Sequence, residues 1–78
     1  MRYWLKELRE KNNYTITDMA HVMGFSRQYY SYIEKGKRLP DLTFSIAIKL
    51  SEIFKISLDD IKKFEEREPQ NENQNPAN

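Results

Sequence analysis

Apolar residues recur at three- and four-residue steps along this chain, and that spacing predicts five helices. The first runs from about Tyr3 to Asn12, with Trp4, Leu5 and Leu8 on one side and Lys6, Glu7, Glu10 and Lys11 on the other. Asn12-Asn13 supplies turn chemistry at its end. The second opens at Thr15, an N-cap with Asp18 three residues on in the manner of a capping box. Met19, Ala20, Val22 and Met23 form its apolar stripe, and Gly24 can take the positive φ that closes it. Ser26 caps a third helix that reaches Glu34. A loop over Lys35–Asp41 follows: Gly36 suits a left-handed cap, and Pro40 disfavours helix at Leu39. The fourth helix spans about Thr43 to Phe54 and carries Phe44, Ala47, Ile48, Leu50, Ile53 and Phe54. The fifth starts after Ser57, with Asp60 placed as another box-like cap, and carries Leu58, Ile61 and Phe64.

Two short helices joined by a tight, Gly-containing turn make a helix-turn-helix, whose second helix normally enters a DNA groove. Ala20 fits the close crossing of the pair. Wound at roughly 100° per residue, the third helix sorts into two arcs. Tyr29, Tyr30, Ile33 and Glu34 occupy one. Arg27, Ser31, Lys35, Gln28 and Tyr32 occupy the other, offering a guanidinium, hydroxyls, an amine and an amide. Arg forks onto guanine and Gln onto adenine in a major groove, so this is the chemistry a reading helix needs. A solvated polar face on an ordinary surface helix has the same pattern.

Context narrows the choice. The stretch from Leu5 to Ile61 resembles the Cro and phage-repressor class of regulators, the XRE family. The matching pieces are Leu8-Arg9, Met19-Ala20, Gly24-Phe25-Ser26-Arg27-Gln28, Ile33-Glu34-Lys35-Gly36-Lys37 and Ile56-Ser57-Leu58-Asp59-Asp60-Ile61. No one piece is diagnostic; their order and register carry the likeness. The resemblance implies an all-α, compact five-helix, lambda-repressor-like domain over residues 1–66, with the second and third helices as the helix-turn-helix. It places Arg27 and Gln28 at base-reading positions and Tyr32 at another, one turn on. For Arg27 a phosphate and for Gln28 only water are the competing partners. Tyr32 could meet a thymine methyl or a phosphate. Ser31 and Lys35 suit backbone contacts, and Ser26, Lys37 and Arg38 flank the helix as phosphate partners. The family usually carries a polar side chain where this chain has Ile16, so Thr15 or Thr17 would have to substitute in that anchor. The stretch after Pro40 is also longer than usual. The resemblance further implies an ion pair between Arg9 and Glu34.

Composition agrees with this outline. Seventy-eight residues allow one small domain, too short for a full core and a catalytic cleft together. The absence of cysteine excludes disulfides and thiolate metal sites, and the single histidine, His21, cannot make a zinc site alone. No glycine-rich phosphate loop or His–carboxylate arrangement suggests an enzyme, and no cofactor, metal or small-molecule ligand is expected. No apolar run approaches the roughly 20 residues that span a bilayer, so a soluble cytoplasmic protein is expected. The net charge of +1 hides an asymmetry: residues 1–63 hold twelve Lys/Arg against eight Asp/Glu, whereas 64–78 hold Arg67 against four Glu. The folded part is thus mildly basic. Residues 67–78 are expected to form a polar, acidic tail, disordered from Pro69 onward because it lacks the apolar surface to offset its ordering entropy.

The leading expectation is a sequence-specific regulator of transcription that binds double-stranded DNA as a homodimer, most simply a repressor. Phe54, Ile56, Leu58, Ile61 and Phe64 crowd the end of the chain and are the expected dimer face. The alternative is a protein-interaction module of the same fold, an antitoxin or adaptor. That reading would require an apolar patch in place of polar residues on the outer arc of the third helix.

Overall fold

Side-chain hydroxyls begin four of the five helices among the described residues. The computed structural model describes residues 1–36 and 42–68. Within them lie α1 (Tyr3–Lys11), α2 (Ile16–Met23), α3 (Arg27–Lys35), α4 (Phe44–Phe54) and α5 (Leu58–Arg67). Thr15, Ser26, Thr43 and Ser57 each accept the backbone N–H of the residue three positions on, at 3.0, 3.1, 3.2 and 2.9 Å. Each such cap satisfies an amide that the helix itself cannot, worth about 1 kcal/mol. At Thr15 the box is reciprocal, since the Asp18 carboxylate accepts the Thr15 N–H at 2.9 Å. Those hydrogen bonds hold the Asp18 carboxyl below its ordinary pKa.

Left-handed residues end the central helices. Gly24 (φ 75°) closes α2 and Gly36 (φ 68°) closes α3, conformations in which a Cβ would be strained. Lys55 ends α4 at φ 57° with a full side chain. The turn Gly24-Phe25-Ser26 folds α3 back onto α2, and these two helices make the most extensive helix–helix contact. Lys49 of α4 reaches the α2 end, donating to the Met23 carbonyl at 3.1 Å, where a cation also suits the helix dipole.

Every helix contributes to one core: Trp4 and Leu5 from α1, Met19, Ala20 and Met23 from α2, Tyr30 and Ile33 from α3, Ile46 and Leu50 from α4, and Ile61 from α5. Two expected members are displaced. Val22 is 49% exposed and Phe44 is 71% exposed. In α2 the residues at 16, 19, 20 and 23 define the inward face, which turns Val22 outward. In α4 the positions from Phe44 to Ile48 are nearly all apolar, so spacing alone does not select a face. Ile46, not Phe44, is the residue that goes in.

Ile61, expected on a dimer face, is buried in the protomer. Phe64 stacks on Trp4 with ring centroids 5.3 Å apart, and Phe54 and Ile56 pack partly against the core. Of the five residues expected at an interface, only Leu58 is exposed. Helix α5 also continues through Arg67, one residue past the expected domain boundary. The loop basics Lys37 and Arg38, and the tail from Pro69, lie outside the described residues. No helix among the described residues is long and apolar enough to cross a membrane.

Candidate nucleic-acid interface

The N-terminal turn of α2 and the outer arc of α3 form the walls of a concavity of about 950 Å³. From α3 it takes Arg27, Gln28, Ser31, Tyr32 and Lys35, and from the other wall Thr15, Ile16 and Thr17, with Arg9 and Tyr14 at its base. Seven of the side chains that the sequence assigns to DNA contact therefore share one surface. Ser26 stands just outside it as the α3 cap. Arg27, Gln28 and Lys35 are exposed, whereas Ser31 and Tyr32 are half-buried. The Gln28 amide donates to the Tyr32 hydroxyl at 3.0 Å, one helical turn away. Across the concavity Ile16 packs its apolar side chain against the core. The first two amides of α2, those of Ile16 and Thr17, have no intrahelical acceptor by position and suit an anion.

Behind this face, buried polar groups hold α3 in place. Arg9 of α1 forks onto Glu34, with Nε to Oε2 at 2.8 Å and Nη2 to Oε1 at 3.1 Å. Its remaining arm donates to the Tyr14 carbonyl at 3.0 Å. The Tyr30 hydroxyl donates to the same carboxylate at 2.8 Å. Glu34 is 3% exposed and Arg9 is 8% exposed, so the pair is buried and its geometry bidentate. The hydrogen bond to Glu34 raises the Arg9 pKa further, and burial beside that carboxylate pushes the Tyr30 phenol well above its ordinary range. Phe25 and Tyr29 meet edge to face at 4.8 Å, which wedges the turn against the start of α3.

Sequence reasoning passed over Arg2, which is fully buried. Its Nη1 donates to the Ile33 carbonyl at 2.6 Å, and its backbone N–H donates to the Glu34 carbonyl at 2.7 Å. Carbonyls in the last turn of a helix lack intrahelical donors, so Arg2 completes α3 from outside. Its Nε donates to Glu65 of α5 at 2.9 Å, and the same Glu65 oxygen accepts the Trp4 indole N–H at 2.8 Å. Helix α1 has no side-chain cap at Arg2; the Glu68 carboxylate accepts the Trp4 amide at 3.1 Å instead. The one available signal was the spacing of Glu65, in α5, and Glu68, at its C-cap, one turn apart. Charge counting had assigned both to an acidic terminus.

Comparison with known proteins agrees with this architecture. A family model described as helix-turn-helix matches residues 5–61. The chain belongs to the XRE-type helix-turn-helix family. This helix-turn-helix chain is 37% identical over 68 residues to an uncharacterized HTH-type transcriptional regulator of Archaeoglobus fulgidus, covering 87% of this chain and 93% of that protein. It is 38% identical over 68 residues to a regulator of the same description from Methanocaldococcus jannaschii, covering 87% of this chain and 100% of that one. A putative HTH-type transcriptional regulatory protein of Pyrococcus abyssi is 38% identical over 50 residues, but there the match spans 15% of the relative's length. The helix-turn-helix unit thus corresponds to nearly the whole of some relatives and to a small part of another. No solved structure matches the chain.

Proposed function

We propose that this chain is a sequence-specific DNA-binding regulator of transcription, acting as a homodimeric repressor. The observation that carries the reading is the gathering of Arg27, Gln28, Ser31, Tyr32 and Lys35 on one open face with the start of α2. Arg27 and Gln28, in the first turn of α3, reach deepest and read bases, with Tyr32 beside them. Ser26, Ser31, Lys35, Thr15 and Thr17 contact phosphates, together with Lys37 and Arg38. Affinity then rests largely on phosphate neutralisation and falls steeply with salt.

One reading helix touches too few base pairs to single out an operator, so two copies bind half-sites roughly 34 Å apart. Leu58 and Phe44, both exposed, border an apolar groove of about 490 Å³ between α4 and α5, and this groove is the proposed dimer face. The interaction-module alternative lacks its discriminating feature, since Arg27, Gln28 and Lys35 keep the outer arc of α3 polar.

Competition binding on a selected operator tests the reading. Arg27→Ala costs roughly 1–3 kcal/mol on that operator and relaxes preference at one base pair. Lys35→Ala weakens all sequences alike and flattens the salt slope. Equal losses on operator and random DNA for Arg27→Ala would refute base reading. Sedimentation of Leu58→Asp against the unaltered chain tests the dimer: a mass unchanged by the substitution removes the α4–α5 groove from the interface. Ile61→Asp is unsuitable, because it places a charge in the core.

A further inference from the structure

We infer that Tyr32 is a positioning residue for Gln28: its phenol holds the Gln28 amide in place to read one adenine, and Tyr32 itself contacts no base. The inference rests on the DNA-reading proposal and assigns a division of labour within it.

Glutamine has three side-chain torsions and one of the larger rotamer entropies, so a free surface Gln loses much of its freedom when it docks on a base edge. Gln28 is exposed on the first turn of α3. Its amide is already tied, Nε2 to Tyr32 Oη at 3.0 Å. Tyrosine rotates about only two torsions, and Tyr32 is half-buried in the wall of the concavity, so the phenol is the stiffer partner. The tie uses one of the two amide hydrogens. A second N–H and the carbonyl oxygen remain, which is the donor–acceptor pair that adenine N7 and N6 require. The opposite wall carries Thr15, Ile16 and Thr17, and Ile16 packs on the core. Among the described residues, Tyr32 is the side-chain partner the Gln28 amide has.

The experiment selects preferred sites from a random-sequence DNA duplex library with the full chain. Base preference at each position is then measured by competition for the unaltered chain, Gln28→Ala, Tyr32→Phe and the double variant. Tyr32→Phe keeps the ring and removes only the hydroxyl. The expected result is that Gln28→Ala erases a preference for A at one position of each half-site. Tyr32→Phe lowers the preference at that same position about fivefold, the worth of one hydrogen bond, and leaves the other positions alone. In the Gln28→Ala background Tyr32→Phe adds nothing. A change at a different base pair, an undiminished effect without Gln28, or no effect at all would overturn the inference while leaving DNA reading intact. Failure of the unaltered chain to enrich any motif would overturn the DNA-reading proposal, and the inference with it.

Discussion

Arg9→Met removes a guanidinium and leaves a carboxylate behind in the core. Glu34 loses its two contacts with Arg9, at 2.8 and 3.1 Å, and keeps the Tyr30 hydroxyl at 2.8 Å. With Glu34 only 3% exposed, water cannot replace the missing partner. A buried charge stripped of its counter-ion costs about 3–5 kcal/mol. The Tyr14 carbonyl also loses a donor, which adds about 1 kcal/mol. A small domain has about 5–15 kcal/mol in total, so the loss is a large part of its stability. At about 4–8 °C per kcal/mol, the melting temperature falls by roughly 15 °C or more. Arg9→Met/Glu34→Met recovers most of that loss, because no unpaired charge remains; the residual deficit is the Tyr30 hydroxyl and the Tyr14 carbonyl, each short of one partner. Thermal unfolding followed by circular dichroism, run on both single variants and the double, gives the coupling between the two residues. Melting of Arg9→Met within about 3 °C of the unaltered chain would equate the pair with an exposed one and refute the reasoning.

Three other expectations concern stability. Glu65→Ala removes the acceptor shared by the buried Arg2 Nε and the Trp4 indole N–H, at a cost of about 2–4 kcal/mol. Urea unfolding monitored by the fluorescence of Trp4, the chain's single tryptophan, measures it, and an unchanged midpoint would deny the clamp its role. The raised Tyr30 pKa predicts alkaline lability. The fold holds that proton more tightly than the unfolded chain, so this contribution is complete below pH 10.0 and declines as pH rises above it. Tyr30→Phe flattens the alkaline limb of a stability–pH curve; an equally steep limb in that variant would contradict the assignment. Lys55→Gly relieves the φ of 57° at the α4 cap and stabilises by about 1 kcal/mol, whereas Lys55→Ala does not. Equal midpoints for the two variants would show that loss of charge, not conformation, was measured.

What could be read from the chain was whatever local chemistry decides. Thr15, Ser26, Thr43 and Ser57 announce helix starts because each cap needs only a hydroxyl and an amide three residues on. Gly24 and Gly36 announce helix ends because positive φ is a property of the residue itself. The outer arc of α3 was legible because polar and apolar residues alternate there at helical spacing. In α4 the same method fails, since Phe44, Ile46, Ala47 and Ile48 are all apolar and only the position of the neighbouring helices selects Ile46. Leu58 and Ile61 illustrate the point in α5, where two equally apolar residues divide into one exposed and one buried. Arg2 was illegible for a different reason. A charged residue is buried only when partners enclose it, and its partners are carbonyls of α3 and a carboxylate of α5 far along the chain.

That distance bears on the order in which the molecule assembles and comes apart. Trp4 meets Glu65 and Glu68 across 61 and 64 residues, whereas the hydroxyl caps close within three. Contacts that close so long a loop gain nothing until the chain between them has been gathered, so they form late, after the rate-limiting barrier. Weakening them therefore leaves the folding rate alone and speeds unfolding. On a denaturant chevron, Glu65→Ala moves the unfolding arm and leaves the folding arm where it is. The latch between α1 and α5 thus governs how long a folded molecule lasts rather than how quickly one is made.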